Sequence, residues 1–185
     1  MIPSDHFVRF YNEVFKFLDN QGGLEAYYEE ISRHQELHCL QLFMEKGLQG
    51  MEEYWGHIRV EENCISSSYI KDDVRYSHNS RCPSLSKVLD NDAEPCRKYC
   101  LHCPGWVTPL MTKCGFYHIR WQRALDQPEC YSASSEYKDK IEAIRQDLIC
   151  QGFKYIFSNL DNFAEVEKNR KKRHQLQHCF SGESK

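Results

Sequence analysis

Apolar side chains at Phe7, Phe10, Tyr11, Val14, Phe15 and Leu18 recur every three or four positions until Gly22-Gly23, a spacing that predicts a first amphipathic helix. The same period returns at Leu24, Tyr27, Tyr28, Ile31, Leu37, Leu40 and Met44. A second helix is therefore expected over about 24–46, with Gly47 just past its end in the left-handed conformation. Met51, Tyr54 and Trp55 mark a third over 48–58. Short glycine turns between them predict an antiparallel helical part over residues 1–60.

Beyond residue 60 the pattern changes. Segments 64–69 and 73–78, rich in serine, valine and tyrosine, flank Lys71-Asp72 and predict a β-hairpin. Residues 84–89 support one or two helical turns, and Pro95 suits the first position of a short helix that Pro104-Gly105 would end. Segments 115–121 and 129–132, joined by a turn at Asp126-Gln127-Pro128, predict two more strands. Tyr137, Ile141, Ile144, Leu148, Tyr155, Phe157 and Leu160 trace a long amphipathic helix with a break at Gly152. The expected fold is α+β: N-terminal antiparallel helices, a small antiparallel sheet with a short cysteine-bearing helix, and a long C-terminal helix packing back on it. Residues 61–162 form the cysteine-rich part of a single domain, and 163–185, with the basic run from Lys168 to His174, form a basic tail.

Composition narrows the function. With 41% hydrophobic residues the chain can bury a core, and no apolar run approaches the roughly 20 residues needed to cross a bilayer. A net charge of −3 argues against a nucleic-acid footprint over the whole domain. The opening residues MIPSDHFVRF lack the basic and apolar regions of a signal peptide, so a cytoplasmic location with reduced thiols is expected. Ten cysteines then call for metal, thiol chemistry or burial.

Five of them, Cys82, Cys96, Cys100, Cys103 and Cys114, crowd into the middle of the chain. On a helix of about 3.6 residues per turn, Cys96, Cys100 and Cys103 lie within a stripe roughly 60° wide. With Cys82 as a fourth thiolate, and His78 and His102 nearby, they could hold zinc or another divalent transition metal. Alternatively Cys82, Cys96 or Cys100 is a nucleophile and His78, His102 or His118 its base. A cysteine stripe is also an ordinary packing face. A redox pair at Cys100 and Cys103 is disfavoured because the last turn of a helix opposes thiolate formation. Glu30, His34 and His38 at i, i+4 and i+8 of the second helix offer a second set of metal donors, or a solvated polar face.

Arg81-Cys82-Pro83, then Pro95-Cys96-Arg97-Lys98-Tyr99-Cys100, Trp106, Pro109, Gly115-Phe116, Ala124-Leu125 and Glu129-Cys130 together resemble the C-terminal signature of the L-2-amino-thiazoline-4-carboxylic acid hydrolase-like family. Cys82, Cys96, Cys100 and Cys130 match the cysteines of that signature. The turn Asp126-Gln127-Pro128-Glu129 replaces its glycine-aspartate turn, and Cys103 and Cys114 are additional. The resemblance implies a hydrolase that opens a cyclic amidine or thiazoline-type ring, with Cys82, Cys96 and Cys100 at the reactive centre. A small-molecule substrate is the expected partner, with or without self-association. The rival reading is a non-catalytic zinc- or iron-binding, or thiol redox-sensing, module.

Overall fold

The computed structural model describes residues 3–34, 37–62, 64–90 and 93–180. Its elements run α1 (Pro3–Asn20), α2 (Leu24–His34), α3 (Leu37–Glu61), β1 (Ile65–Lys71), β2 (Val74–Arg81), α4 (Leu85–Asp90), α5 (His102–Lys113), β3 (Tyr117–Gln122), β4 (Cys130–Ser135), α6 (Lys138–Cys150), β5 (Tyr155–Ser158) and α7 (Phe163–Phe180). Short 3-10 turns cover Tyr99–Leu101 and Leu160–Asn162. The five strands form one antiparallel sheet in the order β1-β2-β4-β3-β5. The α+β arrangement read from the sequence is present.

Several boundaries differ for identifiable reasons. The hairpin turns on Asp72-Asp73 rather than Lys71-Asp72, with φ of 50° and 57°, the pair of left-handed residues that a two-residue hairpin needs. The sequence expectation of one helix carrying Glu30, His34 and His38 spans residues 35–36, between α2 and α3, which lie outside the described residues. Gly47 is non-helical (φ 59°, ψ −135°) and separates two helical segments within α3, at the break expected from the sequence. The stretch after Gly152 is a strand, not helix: a left-handed Gly152 (φ 77°) closes α6 with Gly152 N–H donating to Ile149 O and Phe153 N–H to Leu148 O. Residues 155–158 then add to the sheet edge beside β3. The basic run is not a tail. It lies in α7, where Arg173 is 1% exposed, bonded to Glu136 at 2.8 Å and set over the Phe116 ring at 3.9 Å.

The largest difference concerns the cysteine helix. Residues 93–96 are irregular, 97–98 are a turn, and the α-helix starts only at His102. A helix running from Pro95 on to Lys113 would hold Pro104 in its interior as well as Pro109, at a further cost of about 3 kcal/mol. Starting at His102 instead puts Pro104 in the first turn, where its missing N–H is not needed. Cys103 thereby moves from the unfavourable end of a helix to the favourable one.

Alternation along the strands gives the sheet two faces. Val74, Tyr117, Ile119 and Ala133 pack with Ile141 and Leu148 of α6. The opposite face carries Ser66 and Ser68 of β1, Arg75, Ser77 and Asn79 of β2, Ser132 of β4, and His118 and Arg120 of β3. Above that face lie two apolar clusters. One joins α1, α2 and α4 through Phe15, Leu24, Leu85 and Tyr99; the other joins α3 and α5 through Phe43, Met51, Met111 and Phe116. Among the described residues no helix is long and apolar enough to cross a membrane.

Candidate active site

Between the polar face of the sheet and the helices lies a cavity of about 290 Å³. Trp55 and Ile58 of α3 and Trp106, Val107 and Met111 of α5 make its apolar roof. The register aligns its floor in rows: Ser68, Ser77, Ser132 and Arg120 are successive neighbours across four strands, and so are Arg75, Ser134 and His118 across three. One wall thus binds through hydroxyls and cations, and the other through aromatic and aliphatic surface. Arg75 is held by Glu52 at 2.6 Å.

At one end Cys103 lines the cavity from the first turn of α5. Its Sγ is 3.3 Å from Nε2 of His102, and Nδ1 of the same ring lies 2.5 Å from the carbonyl of Tyr99. That carbonyl can only accept. Nδ1 therefore carries a proton, and Nε2 is the nitrogen left to exchange one with sulfur. Tyr99, Trp106 and Phe15 surround the buried His102 ring and fix it. Burial alone would push the Cys103 thiol up, but the Arg120 charge and the His102 hydrogen bond outweigh it and bring the group down to about 6. A nucleophile, a proton acceptor and an orienting group thus stand in sequence.

The other thiols behave differently. Burial, followed by the charge of Cys103, pushes Cys82 up to about 12, although Cys82 also lines the cavity. Cys130 accepts from Arg120 Nη2 at 2.9 Å and from Asn79 Nδ2 at 3.5 Å, and burial still raises it. Burial likewise raises Cys96 and Cys100. These two belong to the apolar cluster with Leu85, Val88 and Tyr99, and neither lines the cavity. The stripe predicted for Cys96, Cys100 and Cys103 is therefore broken, because only Cys103 lies on the α-helix. His78 points to the opposite face of the sheet, where it bonds Glu129 at 2.8 Å and stacks on Tyr131.

Of the residues selected from the sequence, the structure brings together Cys82, His102, Cys103 and His118 around the cavity. Arg120 was missed. Its signal was the alternation His118-x-Arg120 on β3 opposite the serines of β4, a polar face where a sheet strand would ordinarily turn apolar side chains inward. The side chains of His34 and His38 lie outside the described residues. Among the described residues, no group of three or more His, Cys, Asp or Glu side chains is arranged to hold a metal ion. The cation beside the thiols is a guanidinium.

His118 is 2% exposed, with Nδ1 2.9 Å from Ser134 Oγ and Nε2 without a protein partner at the cavity wall. Burial first, then the charges of Arg120 and Arg75, lower it to about 3. It is neutral in the folded chain at neutral pH. Between about 6.5 and 3 the unfolded chain binds the extra proton, so stability falls as pH falls through that window. Urea titrations should show His118→Gln shedding up to one proton of that acid limb, about 1.4 kcal/mol per pH unit. An unchanged limb would mean that His118 is protonated when folded.

No known protein family, curated protein or solved structure matches the chain.

Proposed function

We propose that this protein is a cysteine-dependent hydrolase of a small molecule, opening a cyclic amidine or thiazoline-type ring with Cys103 as nucleophile. The observation that carries the reading is the Cys103, His102 and Tyr99-carbonyl sequence beside Arg120 at the wall of a closed-in cavity. In such a reaction Sγ bonds to the amidine carbon and a ring bond to that carbon breaks. The departing heteroatom takes the proton held on His102 Nε2. Water then gives a proton back to His102 and attacks the same carbon, and the bond to Sγ breaks. The net change is addition of one water across the ring bond.

Residue placement suits that substrate class. A flat ring fits between the Trp106 side and the serine rows, and Arg59 and Arg120 favour a carboxylate-bearing ligand. The family resemblance points the same way, with the nucleophile moved to a cysteine outside the shared signature. On this reading the partner is a small molecule, and a reducing cytoplasm keeps Cys103 available.

Purified protein incubated with 2-aminothiazoline-4-carboxylate is expected to release a ring-opened carbamoyl product. Cys103→Ser should lower the rate about a thousandfold or more, while Cys150→Ser, at an exposed thiol, leaves it unchanged. Full activity in Cys103→Ser would exclude this centre.

A further inference from the structure

Cys82 and Cys103 line the same cavity from different elements. Cys103 sits on the first turn of α5, and Cys82 on the turn that joins β2 to α4. Cys82 Sγ is held by the Ser84 N–H at 3.3 Å and stays half-buried. Cys100, the alternative neighbour, is 7% exposed within the apolar cluster and does not line the cavity. Hydrolysis gives Cys82 no task, yet a protonated thiol stands across from a thiolate in one small chamber.

We infer that Cys103 and Cys82 are an oxidation site, joined as a reversible disulfide when hydrogen peroxide enters the cavity. The Cys103 thiolate attacks one peroxide oxygen and the O–O bond breaks. Cys103 becomes a sulfenic acid and hydroxide leaves, taking up a proton to become water. The sulfur of Cys82 then attacks the sulfenic sulfur. The S–S bond forms, and the hydroxyl group departs with the Cys82 proton as a second water. Two thiols are oxidised and one peroxide is reduced. The bridge ties α5 to the turn between β2 and α4 and removes the nucleophile from the cavity. The inference needs thiolate character at Cys103 but not hydrolysis.

The reduced full chain is treated at pH 7 with equimolar hydrogen peroxide, alkylated, digested and analysed by mass. A peptide linked through Cys82 and Cys103 is expected, two hydrogens lighter than the separate peptides and reversed by dithiothreitol. Its formation should slow about tenfold at pH 5, where the thiolate is scarce. Cys82→Ser should leave a Cys103 sulfenic acid that dimedone traps. A link from Cys103 to Cys100 or Cys130, or a Cys103 that stays reduced, overturns the proposal. Because the wild-type peptide is itself a readout, a poorly folding variant does not decide the matter. Ring-opening turnover is measured separately, so either reading can fail alone.

Discussion

Alkylation of Cys103 by iodoacetamide is expected to rise through a midpoint near pH 6, and Arg120→Met to raise that midpoint by about one to three units. The direction follows from charge. Arg120 favours the thiolate, and without it burial prevails. At pH 7 the wild-type sulfur is mostly thiolate, so the variant should label about two- to a hundredfold more slowly across that range. Stability should move with it. A thiol near 9 when unfolded and near 6 when folded contributes stability that is complete above pH 9 and lost as pH falls through 6. Arg120→Met should flatten that rise. Peptide mapping separates Cys103 from the exposed Cys150 and from Cys82, which should label only in strong alkali. A wild-type midpoint near 9, or one that ignores Arg120, would remove the basis for a nucleophile here.

The route to that thiolate shows what could and could not be read from residues. Periodicity located the first helices, the hairpin and the strand pair, because those elements each hide one face, and a repeat of 3.6 or 2 records which face is hidden. Cysteine crowding marked the correct region. It did not reveal which sulfurs converge, because that depends on where α5 begins, and the start is decided by tertiary context around Asn12, whose side chain accepts the Cys96 N–H at 2.8 Å and donates to Glu94 O at 2.9 Å. With residues 95–96 held irregular and 97–98 as a turn, the chain passes through a 3-10 turn at Tyr99–Leu101 and reaches α-form at His102. Pro104, read as the end of one helix, stands in the first turn of another, which reverses the sign of the helix dipole at Cys103. Arg120 escaped for another reason. An arginine on a strand reads as solvated, and only the pairing of β3 with β4 shows that it faces inward beside Cys130. The same holds for Arg173, whose basic run looks like a tail until Glu136 and Phe116 are seen to enclose it.

Gly115→Ala is expected to destabilise the fold by about 2–5 kcal/mol, the sum of a left-handed backbone penalty of about 1–2 and an overpacking cost of about 1–3. Gly115 has φ 71°, and a Cβ there would fall 2.3 Å from the Arg170 nitrogen and 2.4 Å from its Cα. Backbone, unlike a flexible side-chain tip, cannot swing aside, so α7 must shift as a whole. Such a shift would pull Arg173 from Glu136 and the Phe116 ring, leaving a buried charge without its partner. Gly152→Ala isolates the backbone share: its φ is 77°, but nothing lies within 4 Å of the new Cβ. That variant should lose only about 1–2 kcal/mol in urea unfolding. Hydrogen exchange should also quicken across α7 in Gly115→Ala and stay slow in Gly152→Ala. Equal losses in the two variants would mean that α7 does not press on Gly115. In that case the basic C-terminal run would be a separable tail after all, and truncation before Phe163 should leave the rest folded.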